Sequence, residues 1–137
     1  MTLRVLIADD DPSMRSALGE MVDSEPGYEV VGLAADPETA IDLAGTHRPD
    51  VAILDVKMPG GGGFRAAQGI RAASPETRIV ALSAWDDRDT VYRMRRAGAV
   101  GYLIKGSAPD DIFGVIEKVA PRAEQLGPPD SARGVGW

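Results

Sequence analysis

The chain has 137 residues, which suits one domain, and 44% of them are hydrophobic, enough to bury an ordinary core and to exclude wholesale disorder. It has no cysteine and a single histidine, His47, which excludes disulfide scaffolds, thiolate metal sites, cysteine nucleophiles and multi-histidine metal sites. Fifteen basic and twenty-one acidic residues give a net charge of −6, which argues against tight, sequence-independent binding of this domain to nucleic acid or to an anionic membrane.

The first half of the chain alternates short apolar runs with segments of helical period. Leu3–Ala8 predicts a first strand, and Asp11-Pro12, a cap followed by proline, predicts the start of the first helix. Tyr28–Leu33 predicts a second strand, and Asp36-Pro37 repeats the signal for a helix start. Val51–Leu54 predicts a third strand that is apolar throughout and therefore covered on both faces.

The second half continues the same alternation. After a glycine-rich loop, residues 64–73 predict a weaker helix and Arg78–Leu82 a fourth strand. Residues 87–97 predict a fourth helix, and Val100–Ile104 predicts a fifth strand. The run Ser107-Ala-Pro-Asp110 has the pattern of a capping box, so it predicts that its serine caps the last helix.

Five strand–helix units predict an α/β fold with a parallel sheet between two layers of helices. For five strands we expect the flavodoxin-like (βα)5 arrangement with strand order 2-1-3-4-5, because a closed barrel needs eight strands. From Pro121 onward the chain is rich in proline and glycine and lacks an apolar period. The domain is therefore predicted over residues 1–120, followed by a linker or disordered tail over residues 121–137.

The location of the protein is predicted from its amino terminus and its apolar runs. The sequence becomes acidic at Asp9, which is too early for a signal peptide. No apolar run approaches the roughly twenty residues of a membrane span. We therefore expect a soluble cytoplasmic protein that does not engage a membrane.

Polar side chains follow four of the predicted strands, at the edge where parallel sheets form their sites. Asp9 and Asp10 follow the first strand, Asp55 the third, Ser83 the fourth and Lys105 the fifth. Because the first and third strands are neighbours in the predicted order, carboxylates crowd one edge, and Mg²⁺ with oxygen ligands would relieve their repulsion. The lysine and the serine suit the oxygens of a phosphoryl group. The set predicts aspartyl-phosphate chemistry on a carboxylate nucleophile.

Each of these residues, taken alone, also has a structural interpretation. An aspartate after a strand often caps the next helix, and we assign that role to Asp11. A lone Ser83 would be a loop hydroxyl and a lone Lys105 a solvated charge, so the hypothesis depends on their conjunction at four strand ends. The fourth helix is basic, which predicts either a solvated face or a partner surface, through Arg88, Arg93, Arg95 and Arg96.

Four segments resemble the receiver domains of two-component response regulators. They are Val5–Pro12, Ile53–Gly60, Ala81–Ala84 and Ala97–Lys105, in the family's order and spacing. The resemblance covers residues 1 to about 120. It implies a phosphorylation-activated switch that accepts a phosphoryl group from a sensor histidine kinase, with Mg²⁺ as its cofactor.

The resemblance assigns roles to particular residues. By it, Asp55 is the phosphoacceptor, Lys105 binds the phosphoryl group, and Ser83 and Tyr102 are the switch residues. It implies four ligands for Mg²⁺: the side chains of Asp9, Asp10 and Asp55 and the backbone carbonyl of Lys57. Asp9 would act largely through a metal-bound water.

The resemblance also implies the form of the output. The protein would catalyse no reaction beyond its own phosphorylation and dephosphorylation. Phosphorylation would re-aim the face of the fourth helix, fifth strand and fifth helix toward an output domain, a partner protein or, as a phosphorylation-dependent dimer, a second copy. Nucleic acid would be bound by a separate output domain, as in a transcription regulator, and not by this one.

Two departures from the family pattern stand out. Lys105 is followed by Gly106, not proline, which resembles the branch with helix-turn-helix outputs. Gly62 stands where the loop after Pro59 usually carries an aspartate, so the next helix lacks that cap.

Two other functions compete with a phosphorylated switch. A phosphatase with an aspartyl nucleophile is disfavoured, because Lys57 occupies the place of its general acid. A receiver-like binding module that works without phosphorylation remains as the alternative.

In the switch, Lys57 and Trp85 are expected to border the path of the water that hydrolyses the phosphorylated aspartate.

Overall fold

A five-stranded parallel sheet forms the centre of the protein in the computed structural model, which describes residues 2–84 and 88–120. The strands are β1 (Leu3–Ala8), β2 (Tyr28–Ala34), β3 (Val51–Asp55), β4 (Arg78–Ser83) and β5 (Ala99–Ile104). Their order is β2-β1-β3-β4-β5, and every neighbouring pair is parallel. The predicted flavodoxin-like fold is confirmed.

Helices cover both faces of this sheet. They are α1 (Pro12–Ser24), α2 (Pro37–His47), α3 (Gly62–Ala73), α4 (Arg88–Arg96) and α5 (Pro109–Val119). Successive side chains of a strand point to opposite faces, so Val51 and Ile53 pack with α1 and α5, whereas Ala52 and Leu54 pack with α2, α3 and α4. All residues of β3 are buried, as its apolar sequence predicts. The buried sheet holds the ends of its strands in fixed places.

Two of the three predicted helix caps are confirmed. Asp11 accepts a hydrogen bond from the amide of Ser13 at 2.9 Å, and Asp36 accepts one from the amide of Thr39 at 2.8 Å. Each cap leads into a helix whose first residue is proline. In each case the cap residue and the proline after it fix where the helix that follows the strand begins.

The predicted capping box before α5 is wrong. Ala108 is the cap residue, and the hydroxyl of Ser107 donates to the carbonyl of Ile104 at 2.6 Å. The physical reason is Pro109, which suits the first helical position and holds the residue before it in an extended conformation. The helix therefore begins too late for the serine to reach its amides.

Several element boundaries differ from the sequence prediction by one or two residues. The strands β3 and β4 include Asp55 and Ser83 as their last residues, and α3 begins at Gly62. Glycines have a low helix propensity, which hides the start of α3 from the sequence pattern. The predicted linker over residues 121–137 lies outside the described residues. Over the part of the chain that the structure covers, no helix has the length and apolar character needed to cross a membrane.

Two helical glycines allow the packing between helices to be tested. An added Cβ at Gly114 in α5 would have no atom within 4 Å, whereas one at Gly69 in α3 would overlap the side chain of Ile41 in α2. We expect Gly114→Ala to raise the free energy of unfolding by about 1 kcal/mol through helix propensity. Gly69→Ala should lose that gain to the overlap. Chemical denaturation of both variants measures the difference, and equal gains would show that α2 does not constrain α3 there.

Candidate functional site

Three carboxylates meet where β1 and β3 end. One oxygen each from Asp9, Asp10 and Asp55 lies within 4.8 Å of the others. The two strands are paired up to Ala8 and Leu54, so the aspartates that follow are neighbours by register. Asp9 is 0% and Asp55 2% exposed, whereas Asp10 faces solvent. The structure thus brings together the three acids that the sequence singled out.

The ammonium of Lys105 lies between the two buried carboxylates. Its Nζ is 3.0 Å from Oδ2 of Asp55 and 3.3 Å from Oδ2 of Asp9. The lysine follows β5, two strands away from β3, and its amide donates to the carbonyl of Ser83 at 2.8 Å. This main-chain bond directs the loop after β5 across β4 and toward the acids.

Main-chain amides fix the other oxygen of each buried carboxylate. The amide of Asp11 donates to Oδ1 of Asp9 at 2.9 Å, and the amide of Lys57 donates to Oδ1 of Asp55 at 3.2 Å. Oδ2 of Asp9 is buried and, within the described ranges, accepts no hydrogen bond. The Lys105 ammonium, 3.3 Å away, is shared with Asp55, so this buried oxygen is suited to act also as a cation ligand.

The crowding of charge changes the acidity of the site. Burial raises the pKa of Asp55 to about 7; the hydrogen bond from Lys105 opposes that rise, and the nearby carboxylate of Asp9 adds to it. Burial alone would lower the pKa of Lys105, but its bonds and attraction to Asp55 and Asp9 leave it raised. The lysine is therefore a cation at neutral pH, and the site still carries more negative charge than one ammonium offsets. Hard carboxylate donors in this state fit Mg²⁺.

The other residues singled out by sequence lie around this cluster. Ser83 is buried at the end of β4, one residue beyond the Leu82 that pairs with Asp55. Tyr102 is half-buried on β5 and packs against the same core as α4. Lys57 is exposed beside its bonded amide, and the metal-binding role of its carbonyl stays a prediction. Trp85, expected to border the water path, lies outside the described residues.

Sequence reasoning missed two arginines that contact the loops of the site. Arg15 of α1 donates to the carbonyl of Asp9 at 2.8 Å. Arg65 of α3 donates to the carbonyl of Gly60 at 3.3 Å and forms an ion pair with Glu38 of α2. The position of Arg15 in the first turn after the acids could have suggested its contact, since long side chains of a first turn can reach back to the preceding loop. Nothing in the sequence signals the contact of Arg65.

The fold and the three clustered acids define a flavodoxin-like domain with an acidic site where β1 and β3 end. The chain belongs to the response regulator receiver domain family, whose model matches residues 5–117. The resemblance drawn from the sequence is thereby confirmed.

Individual relatives agree with this assignment. The transcriptional regulatory protein PdtaR of Mycobacterium tuberculosis is 44% identical over 123 residues, which are 90% of this chain and 59% of that protein. The receiver domain structure of the response regulator NarL from the same species has a TM-score of 0.80 at 34% identity, covering 85% of this chain and 94% of that one. A structure of the CheX–CheY–BeF3–Mg complex from Borrelia burgdorferi has a TM-score of 0.76 at 25% identity, covering 84% and 87%. The chain spans about three fifths of the length of such curated relatives.

The raised pKa of Asp55 predicts a stability effect in the absence of metal. Because its folded-state pKa of about 7 exceeds the ordinary 3.8, this carboxyl stabilises the fold below pH 3.8, and that contribution is lost as the pH rises through about 7. Asp55→Asn keeps the acceptor for the Lys57 amide but cannot ionise. We expect it to raise the melting temperature in EDTA at neutral pH, with a gain that shrinks on acidification.

The matched control for that measurement is Asp11→Asn. Asp11 is exposed, and asparagine caps a helix as well as aspartate does. Its melting temperature should follow that of the unaltered protein over the same pH range. If Asp55→Asn also followed it, burial would not destabilise the Asp55 carboxylate.

Proposed function

We propose that this receiver domain is the phosphorylation-activated switch of a two-component system, with Asp55 as the phosphoacceptor. The observation that supports it is the buried Asp55 carboxylate, held at 3.0 Å by Lys105 beside two further acids. An oxygen of Asp55 attacks the phosphorus of a phosphohistidine on a sensor kinase. The bond from phosphorus to the imidazole nitrogen breaks, and the imidazole leaves with the electron pair and takes up a proton.

The choice of Asp55 over its neighbours follows from the surroundings of each acid. Asp10 is exposed and lacks the lysine contact, and Asp9 is fully buried with its main chain and one oxygen already bonded. Only Asp55 combines burial at the end of the central strand with a hydrogen bond from Lys105. That ammonium would pass from the carboxylate to the incoming phosphoryl oxygens, and the hydroxyl of Ser83 would bind another of them.

Mg²⁺ is the cofactor that this donor set favours. The side chains of Asp9, Asp10 and Asp55, with the carbonyl of Lys57, would hold it. When bound, Mg²⁺ neutralises charge on the transferring phosphoryl group. Oδ2 of Asp9 supports the assignment, since this buried oxygen accepts no hydrogen bond within the described residues and shares the Lys105 ammonium, 3.3 Å away, with Asp55.

The output of the switch is proposed for the face formed by α4, β5 and α5. Ser83 would move toward the phosphoryl group and Tyr102 would follow, which changes how this face binds an output domain, a partner protein or a second copy. In α4, the guanidinium of Arg93 lies 4.0 Å from the ring centre of Phe64 in α3, so part of this basic helix is tied to its neighbour. The relatives named as transcriptional regulatory proteins support an output in transcription regulation, carried by a part of the protein outside this domain. The domain itself would act on no other substrate.

The role of Asp55 is tested by its isosteric variant. Asp55→Asn should abolish incorporation of a phosphoryl group from a small phosphodonor such as acetyl phosphate, because an amide is not a nucleophile for this transfer. Intact-protein mass spectrometry measures the modification, and circular dichroism checks the fold. Asp11→Asn, which alters an acid two residues beyond the buried Asp9, should be modified as the unaltered protein is.

Two results would contradict the proposal in different ways. Undiminished modification of Asp55→Asn would show that another residue is the phosphoacceptor. No modification of the unaltered protein by the donor or by a kinase would favour the alternative, a receiver-like module that binds partners without phosphorylation.

The metal assignment predicts a change in stability. Millimolar Mg²⁺ should raise the melting temperature, because a ligand that binds only the folded state stabilises it by mass action. Asp10→Ala should remove most of this shift through the loss of one carboxylate. Glu76→Ala, at an exposed acid in the turn before β4, should retain it. A melting temperature that does not change with Mg²⁺ would contradict the proposed metal site.

A further inference from the structure

Asp9 is bonded at every polar group except the one that faces the site. Its amide donates to the carbonyl of Ala34 at 2.9 Å, and its Oδ1 accepts from the amide of Asp11 at 2.9 Å. Its carbonyl accepts from the guanidinium of Arg15 at 2.8 Å. Only Oδ2 is left, and it lies 3.3 Å from Nζ of Lys105. The bonding of this residue therefore determines where its remaining oxygen points.

The hydrogen-bond partner of the Arg15 guanidinium is a main-chain carbonyl and not a carboxylate. Arg15 is half-buried in the first turn of α1, and its side chain reaches back six residues to a main-chain carbonyl. Three carboxylates lie at the same edge, yet within the described residues the guanidinium forms no ion pair. Its contact therefore joins the helix to the end of β1 and does not neutralise an acid.

We infer that Arg15 is a positioning residue for the metal site, an inference that rests on the proposed function. Its bond to the carbonyl of Asp9 fixes the main chain where β1 turns into α1. That holds the carboxylate in the rotamer that bonds the Asp11 amide and directs Oδ2 into the acidic site beside Lys105. Partners of metal ligands act in this way, by holding a ligand in its binding orientation.

Positioning and electrostatics predict opposite results for Arg15. A guanidinium close to a cation site repels Mg²⁺, so removing its charge would strengthen Mg²⁺ binding if charge were its only influence. Removing a positioning contact would weaken binding. Replacing a residue that only stabilised the fold would lower the melting temperature and leave the Mg²⁺ affinity unchanged.

The experiment compares Arg15→Gln and Arg15→Lys by calorimetric titration of the full chain with MgCl2 and no phosphodonor. Gln removes the charge, and Lys keeps the charge but loses the planar guanidinium. We expect both variants to bind Mg²⁺ about tenfold more weakly, as is typical when a partner of a metal ligand is lost. Arg78→Gln removes a charge at the start of β4, at the opposite end of the strands from the acids, and should bind Mg²⁺ as the unaltered protein does. Tighter or equal binding by Arg15→Gln, or unchanged binding by Arg15→Lys, would overturn the inference.

A second readout needs no metal and separates this inference from the proposed function. In EDTA, hydrogen exchange of the Asp11 amide reports on its bond to Oδ1 of Asp9. We expect faster exchange in both Arg15 variants and unchanged exchange in Arg78→Gln. If the unaltered protein bound no Mg²⁺, the proposed metal site would fail, and this exchange would still test Arg15. Unchanged exchange in the Arg15 variants would refute its positioning role.

Discussion

The site depends on one ammonium held between two buried carboxylates. Lys105 reaches Asp9 and Asp55 from a loop that begins two strands away, and its amide bond to Ser83 carries it there. Without that cation, two acids would lie buried side by side at the ends of adjacent strands, an arrangement that costs several kcal/mol. The lysine offsets this only in part, since the pKa of Asp55 stays raised to about 7. The surrounding core must therefore supply the stability that the site removes.

The ends of β1 and β3 use the same local geometry to present these acids. In each, one carboxylate oxygen accepts from the amide two residues later, in Asp11 or in Lys57. The other oxygen is then directed at the lysine. Because the strands are parallel and in register, two copies of one turn place two acids against a single cation. Geometry of this kind is set by the main chain, which moves less than long side chains do.

Much of this arrangement can be predicted from the sequence, because the fold and the site follow from short-range patterns. Apolar runs and helical periods identify every strand and helix, and the positions of Asp55 and Lys105 after their strands identify the edge where they meet. Competing local preferences decide the exception at Ser107, where the following proline sets the start of the helix. The reach of Arg15 is a tertiary contact that no pattern reports. The raised pKa of Asp55 likewise depends on burial and distance, which residue order alone does not give.

The loop after Asp55 shows why a departure from the family pattern can be structural. A Cβ on Gly62 would lie 2.6 Å from the carbonyl oxygen of Val56, and that glycine has a φ of +69°. An aspartate there would force the loop away from the end of β3, so the glycine fits a closer approach. The expectation that Gly62 marks a lost cap is wrong, because the cap residue of α3 is Gly61 and Gly62 is already the first residue of the helix. The ion pair that Arg65 makes over this loop with Glu38 is exposed and contributes little stability. Arg65 also donates to the carbonyl of Gly60 at 3.3 Å. The close approach at Gly62 and this bond both involve main-chain atoms, so the loop beside the proposed phosphoacceptor is held through its main chain.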